Sequence, residues 1–355
     1  MAIPTGNPVF DSVEEMLSPS SLSWLLGTPV GSVGVAPLES NGWSANELSY
    51  VQAGERRLVL KRLSTDDWLT RVSKDAQCRS LAVWSTGLLD RLEPGLQHGI
   101  VAGSRDGTRD ALLMRDVSAG LSSGVPSLTP VQARDRRTER LLQALAVTHA
   151  RFWGDDTLED PVYELADVET LLTMVWPASW SLIEGRPDVL AVVQQGWQAL
   201  LDLVDPDVRA TIEQVMADPV PLIDALAAEP ATLLHGDYRL DNLAVLPDES
   251  VVAFDWQFAA RGPGVMDLAW LVSSRGVFEH RGWAFDCYRD ALLEALDGDV
   301  DVVQWDRAVA IANFADVLRK GSFTAFFAVQ GEETAYNRAR IPEINDSVRR
   351  GADLL

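Results

Sequence analysis

Residues 231–258 of this 355-residue chain read ATLLHGDYRLDNLAVLPDESVVAFDWQF, which places Asp237, Asn242 and Asp255 at the ends of short apolar runs. Loops carried by a rigid scaffold are where proteins present reactive groups. Mg²⁺ takes one or two hard oxygens from protein side chains and the rest from phosphates and water, and Asn242 and Asp255 have suitable oxygens. Phosphoryl transfer also needs a group off the metal that orients the attacking hydroxyl and receives its proton, a part that suits Asp237. These residue types therefore point to moving a phosphoryl group from a nucleotide to an alcohol.

The spacing narrows this. Asp237 and Asn242 are five apart in H-G-D-Y-R-L-D-N, as are the catalytic aspartate and metal-binding asparagine of the kinase loop H-R-D-x-x-x-x-N. Alone, His-Gly-Asp is also an ordinary turn, because Gly accepts positive φ and Asp bonds its own backbone; the order of the whole set separates the two readings. The nucleotide phosphates need a fixed cation. Lys61, in Leu58-Val59-Leu60-Lys61-Arg62-Leu63, has the strand context for it and is one of only three lysines, with Lys74 and Lys320; the plain alternative is a strand cation that snorkels to water. Ahead of it, residues 41–46, with Gly42 and Ser44, suit a turn whose amides cover the phosphates, and backbone groups from Met114 through Asp116 to Val117 are placed to meet adenine. His235 is expected to brace the loop. Arg239 and Asp241 either touch phosphate or substrate or pair with each other and solvent. Trp270, Glu279, Trp283 and Asp286 are candidates for an acceptor pocket, with core packing the alternative for the tryptophans. His149, on an apolar helix face, is expected to be a core histidine.

These groups have to be held by two different bodies. Residues 47–116 are strand-like around 48–51, 58–63 and 111–114, with a hairpin turn at Gly54-Glu55 and a helix predicted over 76–92. A Ser-, Gly- and Pro-rich connector at 118–130 follows, and then a long amphipathic helix carrying Leu142, Leu145, His149 and Phe152. Helices are predicted at 165–185, 187–217, 282–297, 302–328 and 333–353, interrupted by strands at 231–234, 243–246 and 251–254. The expected architecture is α+β: a small β-rich lobe, residues 1–117, and a larger, mainly helical lobe, residues 118–355.

Thirty Lys and Arg stand against 52 Asp and Glu, for a net charge of −22, which disfavours nucleic acid and anionic membrane partners. The 47% hydrophobic content with 12 Trp specifies a folded globular chain. Cys78 and Cys287 are too few and too far apart for a disulfide framework or a zinc site. The first sixteen residues lack a secretory pattern and no window of about twenty is free of charge, so the expected compartment is the cytoplasm. No protein partner is evident.

With its motifs taken together, the chain resembles the aminoglycoside phosphotransferase family and, within the protein-kinase-like bilobal fold, the choline-kinase-like and ecdysteroid-kinase-like enzymes. H-G-D-Y-R-L-D-N, Phe254-Asp255-Trp256-Gln257, Gly262-Pro263-Gly264-Val265-Met266-Asp267-Leu268-Ala269 and Thr148-His149-Ala150-Arg151-Phe152-Trp153 carry the likeness. It implies ATP, with GTP also admissible, Mg²⁺, and a small hydroxylated acceptor. It further implies that Asp267 supports the catalytic loop from a helix. There are two departures: the first loop lacks G-x-G-x-x-G, and no Glu lies between Lys61 and Glu93 to pair with the lysine. Ser80 falls near the place for it, and Asp75 is one substitute, the phosphates alone being the other. An acidic cleft would draw a polycationic aminoglycoside, whereas many Trp would suit macrolides, sugars, choline-like or sterol-like alcohols. A pseudokinase that binds nucleotide without turnover is the reading from another class.

Overall fold

The computed structural model describes residues 7–39, 44, 46–64, 67–92, 94–106, 109–122, 131–183, 185–274, 277, 280–298, 302–330 and 334–355, with side chains except at 131–135 and 302–303. Gly42 and Glu279 lie outside the described residues. The strands in chain order are β1 (Val9–Phe10), β2 (Val33–Leu38), β3 (Glu47–Ala53), β4 (Arg56–Arg62), β5 (Leu96–Gln97), β6 (Ile100–Ser104), β7 (Ala111–Arg115), β8 (Ala231–Leu234), β9 (Leu243–Val245), β10 (Val251–Ala253) and β11 (Ala260–Pro263). They form a mixed α+β fold with an N-terminal sheet and a mostly helical C-terminal part.

The small-lobe sheet runs β1-β6-β7-β4-β3-β2. Its centre is the predicted hairpin: Ala53 pairs with Arg56 across Gly54-Glu55, and Gly54 has φ +60°, a value that glycine reaches without cost. Period-two alternation turns Val51, Leu58, Leu60 and Leu113 inward onto Met16 and Leu22. These last two come from short helices at Val13–Met16 and Pro19–Leu26, which floor the sheet. Lys61 pairs with Leu48 and Leu112, so its side chain leaves a sheet position flanked by two leucines.

The large lobe has two cores. One packs the Val131–Arg151 helix against the β9–β10 hairpin and the Val265–Val272 and Arg281–Ala295 helices; the other gathers the Pro187–Leu203, Pro206–Ala217, Val302–Val329 and Ile341–Ala352 helices. Trp68, Trp84, Trp176, Trp197, Trp256 and Trp305 are buried in these cores, so half of the tryptophans are spent on packing. Both cysteines are free, and burial pushes Cys78 up to about 12 and Cys287 up to about 11, making them inert thiols. Among the described residues no helix is long and apolar enough to cross a membrane.

Several predicted helices are shorter. The 76–92 stretch is a helix only at Arg79–Ser85, with a 3₁₀ turn at Leu89–Arg91 after Gly87 at φ +79°. Pro206 divides the 187–217 stretch, because the residue ahead of a proline favours extended backbone and Asp205 is extended. The 165–185 and 333–353 stretches are likewise each divided in two.

Candidate active site

The β9–β10 hairpin sets the site. Leu243 pairs with Ala253, and Phe254 N–H donates to Asn242 O at 3.1 Å, so Asn242 and Asp255 emerge together at its open end. Asp255 adopts φ +70°, a left-handed conformation in which a short polar side chain is tolerated and which often marks a functional position. Its Oδ1 meets Lys61 Nζ of β4 at 2.6 Å. The lysine is 6% exposed and Asp255 half-buried, so the pair bridges the lobes at the edge of the interior.

Asp237 lies between the two lobes' contributions. Asn242 Nδ2 donates to Asp237 Oδ2 at 2.7 Å and to Asp237 O at 3.0 Å, which fixes the amide and turns its Oδ1 away from the aspartate. Trp270 Nε1 donates to Asp237 Oδ1 at 2.9 Å, and Arg239 Nε lies 3.4 Å from Oδ2. Burial raises the Asp237 carboxyl above its ordinary value, against the pull of Arg239 and His235. Arg239 also lies 3.3 Å from Asp241, which faces solvent.

The loop behind these groups is tied down by Asp267. Its two oxygens accept from His235 N at 2.6 Å and Gly236 N at 2.9 Å. Burial pushes the Asp267 carboxyl up, but His149, His235 and the His235 N–H outweigh it and hold it below its ordinary value. His235 Nδ1 accepts from Asp237 N at 3.2 Å, which leaves Nε2 to donate to Phe254 O at 3.0 Å. Gly236 has φ +78°, and a Cβ there would fall 2.0 Å from Phe258 O. His149 is a buried core histidine, bonded through Nδ1 to Tyr288 Oη at 2.6 Å.

The remaining sequence candidates divide. Met114 pairs with Val59 and Ile100 in the sheet. Beyond it, Asp116 O and Val117 N–H make no backbone hydrogen bond among the described residues, leaving one acceptor and one donor at the cleft rim. The Asp116 carboxylate itself is engaged by Arg57 and by Ser118 N–H. Ser44 is partly buried in the β2–β3 connection. Trp283, 39% exposed, lines an open groove of about 570 Å³ with His280, Arg281, Pro342 and Glu343, and the structure does not bring it into the Asp237 network. Asp286 pairs with Arg289 at the surface. Asp75 caps the Arg79–Ser85 helix by accepting Arg79 N–H at 2.5 Å and lies within electrostatic reach of Lys61. The partner of Lys61 is Asp255.

Three residues that sequence reasoning passed over belong to this site. Arg79, 3% exposed, donates to Glu164 O at 2.5 Å, Gln257 O at 2.6 Å and Ser73 O at 3.1 Å, fastening its helix to the segment after Asp255. It adjoins Ser80, the place flagged for a glutamate. Arg319 donates through Nη2 to Gly236 O at 2.7 Å and stacks 4.3 Å from the Trp270 ring centroid. Lys320 sits 5.1 Å from the same centroid and donates to Ser273 Oγ at 2.9 Å; the scarcity of lysine was its only signal.

The catalytic-loop network lies inside the match to one family: the profile of the phosphotransferase enzyme family, APH, covers residues 40–305. The chain belongs to that family. APH-family enzymes are small-molecule kinases that use a nucleoside triphosphate. A presumed aminoglycoside phosphotransferase from Ralstonia eutropha JMP134 is similar at 13% identity, with 94% of this chain and 96% of that one covered and a TM-score of 0.51. A microcompartment-associated aminopropanol kinase is similar at 15% identity, with 91% and 95% covered and a TM-score of 0.50. Choline kinase LicA from Streptococcus pneumoniae matches at 14% identity over 96% and 98%, with a TM-score of 0.49. Identities this low speak to the fold alone.

Proposed function

We propose that this phosphotransferase moves the γ-phosphoryl group of ATP, or GTP, to an alcohol hydroxyl of a small molecule, with Asp237 as the base. Residues 1–117 bind the nucleotide and residues 118–355 carry the base and the acceptor. The observation that carries the reading is the convergence of Asp237, Asn242 and Asp255 at one end of the hairpin, with Lys61 Nζ reaching Asp255 Oδ1 at 2.6 Å from the other lobe. Asn242 Oδ1 and Asp255 Oδ2 are the oxygens that would hold Mg²⁺, a two-ligand set of the kind this ion takes beside phosphates and water. Bound there, the ion would neutralise charge on the phosphates.

The chain's own groups do the rest. Lys61 moves from Asp255 to the phosphates, Gly42 and Ser44 belong to the loop above them, and the Asp116 carbonyl and Val117 N–H meet the base edge of the nucleotide, with Met114 beneath it. Asp237, oriented by Asn242 and Trp270, takes the proton of the acceptor hydroxyl as its oxygen bonds to phosphorus and the nucleoside diphosphate leaves. A coupled assay of ADP release over a panel of hydroxylated compounds tests this, with Asp237→Ala as control. Mg·ATP should raise the unfolding midpoint of both proteins, while only the native protein releases ADP; full activity in Asp237→Ala would refute the role of Asp237.

A further inference from the structure

The Val302–Val329 helix reaches the base through one tryptophan. Trp270, near the end of the Val265–Val272 helix, is gripped by ring and by backbone. The Arg319 guanidinium lies 4.3 Å from its ring centroid and donates through Nη2 to Gly236 O at 2.7 Å, so one cation steadies the indole and the loop together. At the backbone, Ser273 Oγ donates to Trp270 O at 2.9 Å and accepts from Lys320 Nζ at 2.9 Å. Arg319 and Lys320 are themselves balanced, since both face Asp316 and Asp237 and Arg319 also faces Asp267.

The two oxygens of Asp237 are used unequally. Oδ2 receives Asn242 Nδ2 at 2.7 Å and faces Arg239 Nε at 3.4 Å, which occupies both of its lone pairs. Oδ1 receives Trp270 Nε1 at 2.9 Å, and no second donor reaches it among the described residues. One lone pair of Oδ1 is left over. The side chain is 13% exposed, so the carboxylate still meets the cleft.

We infer that Asp237 Oδ1 is the atom that takes the proton, and that Trp270 is the positioning residue that turns its open lone pair to the acceptor hydroxyl. This rests on the kinase reading above. As the acceptor oxygen bonds to phosphorus, the bond from phosphorus to the bridging oxygen breaks and its electron pair leaves with the nucleoside diphosphate. The hydroxyl proton passes to Oδ1, while Oδ2 keeps its hold on Asn242.

Trp270→Phe keeps a ring against Arg319 and removes the N–H alone, so it is the test. Its ADP release is compared with that of the native protein for whichever of water, glycerol, glucose, choline, kanamycin and glycerate serves as acceptor. kcat should fall about ten- to hundredfold, the worth of a hydrogen bond to a charged group, with KM and the Mg·ATP shift in unfolding midpoint kept. Trp270→His, which restores a ring N–H, should recover part of the loss. In an Asp237→Asn background Trp270→Phe should cost little more, because the two side chains act as one unit. The indole N–H signal that Trp270→Phe deletes from the NMR spectrum should also move in Asp237→Asn, a readout of the contact that needs no acceptor. Native kcat in Trp270→Phe, a rise in KM instead, an equal loss in the Asp237→Asn background, or an unmoved indole signal would each overturn the inference. A native protein whose midpoint Mg·ATP leaves unmoved would defeat the kinase reading, and the inference with it.

Discussion

Asp237 is held by three groups from two places, the loop's own Arg239 and Asn242 and a distant indole, so its carboxylate is aimed before any substrate arrives. Asp237→Asn should therefore lower kcat about 10²–10⁴-fold, the usual worth of a positioned base, without loss of Mg·ATP binding by calorimetry. Gly236→Ala meets a backbone oxygen as well as an unfavourable φ. Its cost in urea denaturation should exceed the ~1–3 kcal/mol of backbone strain alone. At this scale the sequence was legible where spacing is local: Asp237, Asn242 and Asp255 fall within nineteen residues of one hairpin. Arg319 and Lys320 were not legible, because a helical position more than eighty residues from Gly236 carries no local sign of which loop it will face.

The β3, β4 and β7 strands and the β8–β10 region were readable as elements, whereas β1, β2, β5, β6 and β11 were not. Val33–Leu38 contains Gly34 and Pro37 and ends the sheet, the one place where proline is tolerated in a strand. Helix lengths were overestimated wherever Gly or Pro cut a continuous apolar pattern. The Arg79–Ser85 helix shows why a missing glutamate did not disturb the fold: its attachment runs through an arginine and three carbonyls. Arg79→Met leaves those acceptors unmet in a dry interior. It should destabilise the protein by roughly 2–5 kcal/mol, read as a lower urea midpoint.

Across the whole molecule the net charge is −22, yet beside the base Lys320, Arg319 and Arg239 stand among Asp316, Asp267 and Asp237. Lys320 makes this cluster sensitive to pH. Its ammonium sits at about 8 in the native protein against an ordinary 10.5. Between those values the unfolded chain binds more protons, so this site's contribution to stability rises with pH; below about 8 both states are charged and the full penalty stands. Lys320, faced by Ser273, Trp270, Asp316, Arg319, Arg340, Arg239 and Asp237, should thus destabilise the native protein relative to Lys320→Met most at about pH 7. The gap in unfolding midpoint should narrow toward about pH 10.

One strand pairing limits how such chains can be recombined. β5, at Leu96–Gln97, precedes the connector, yet it runs parallel to β10 of the hairpin that bears Asp255. A graft that swapped everything before residue 118 for a homologue's segment would replace the neighbour strand of that hairpin as well. Crossovers between relatives should therefore retain function when the junction falls ahead of Leu96 and lose it when the junction falls in the connector.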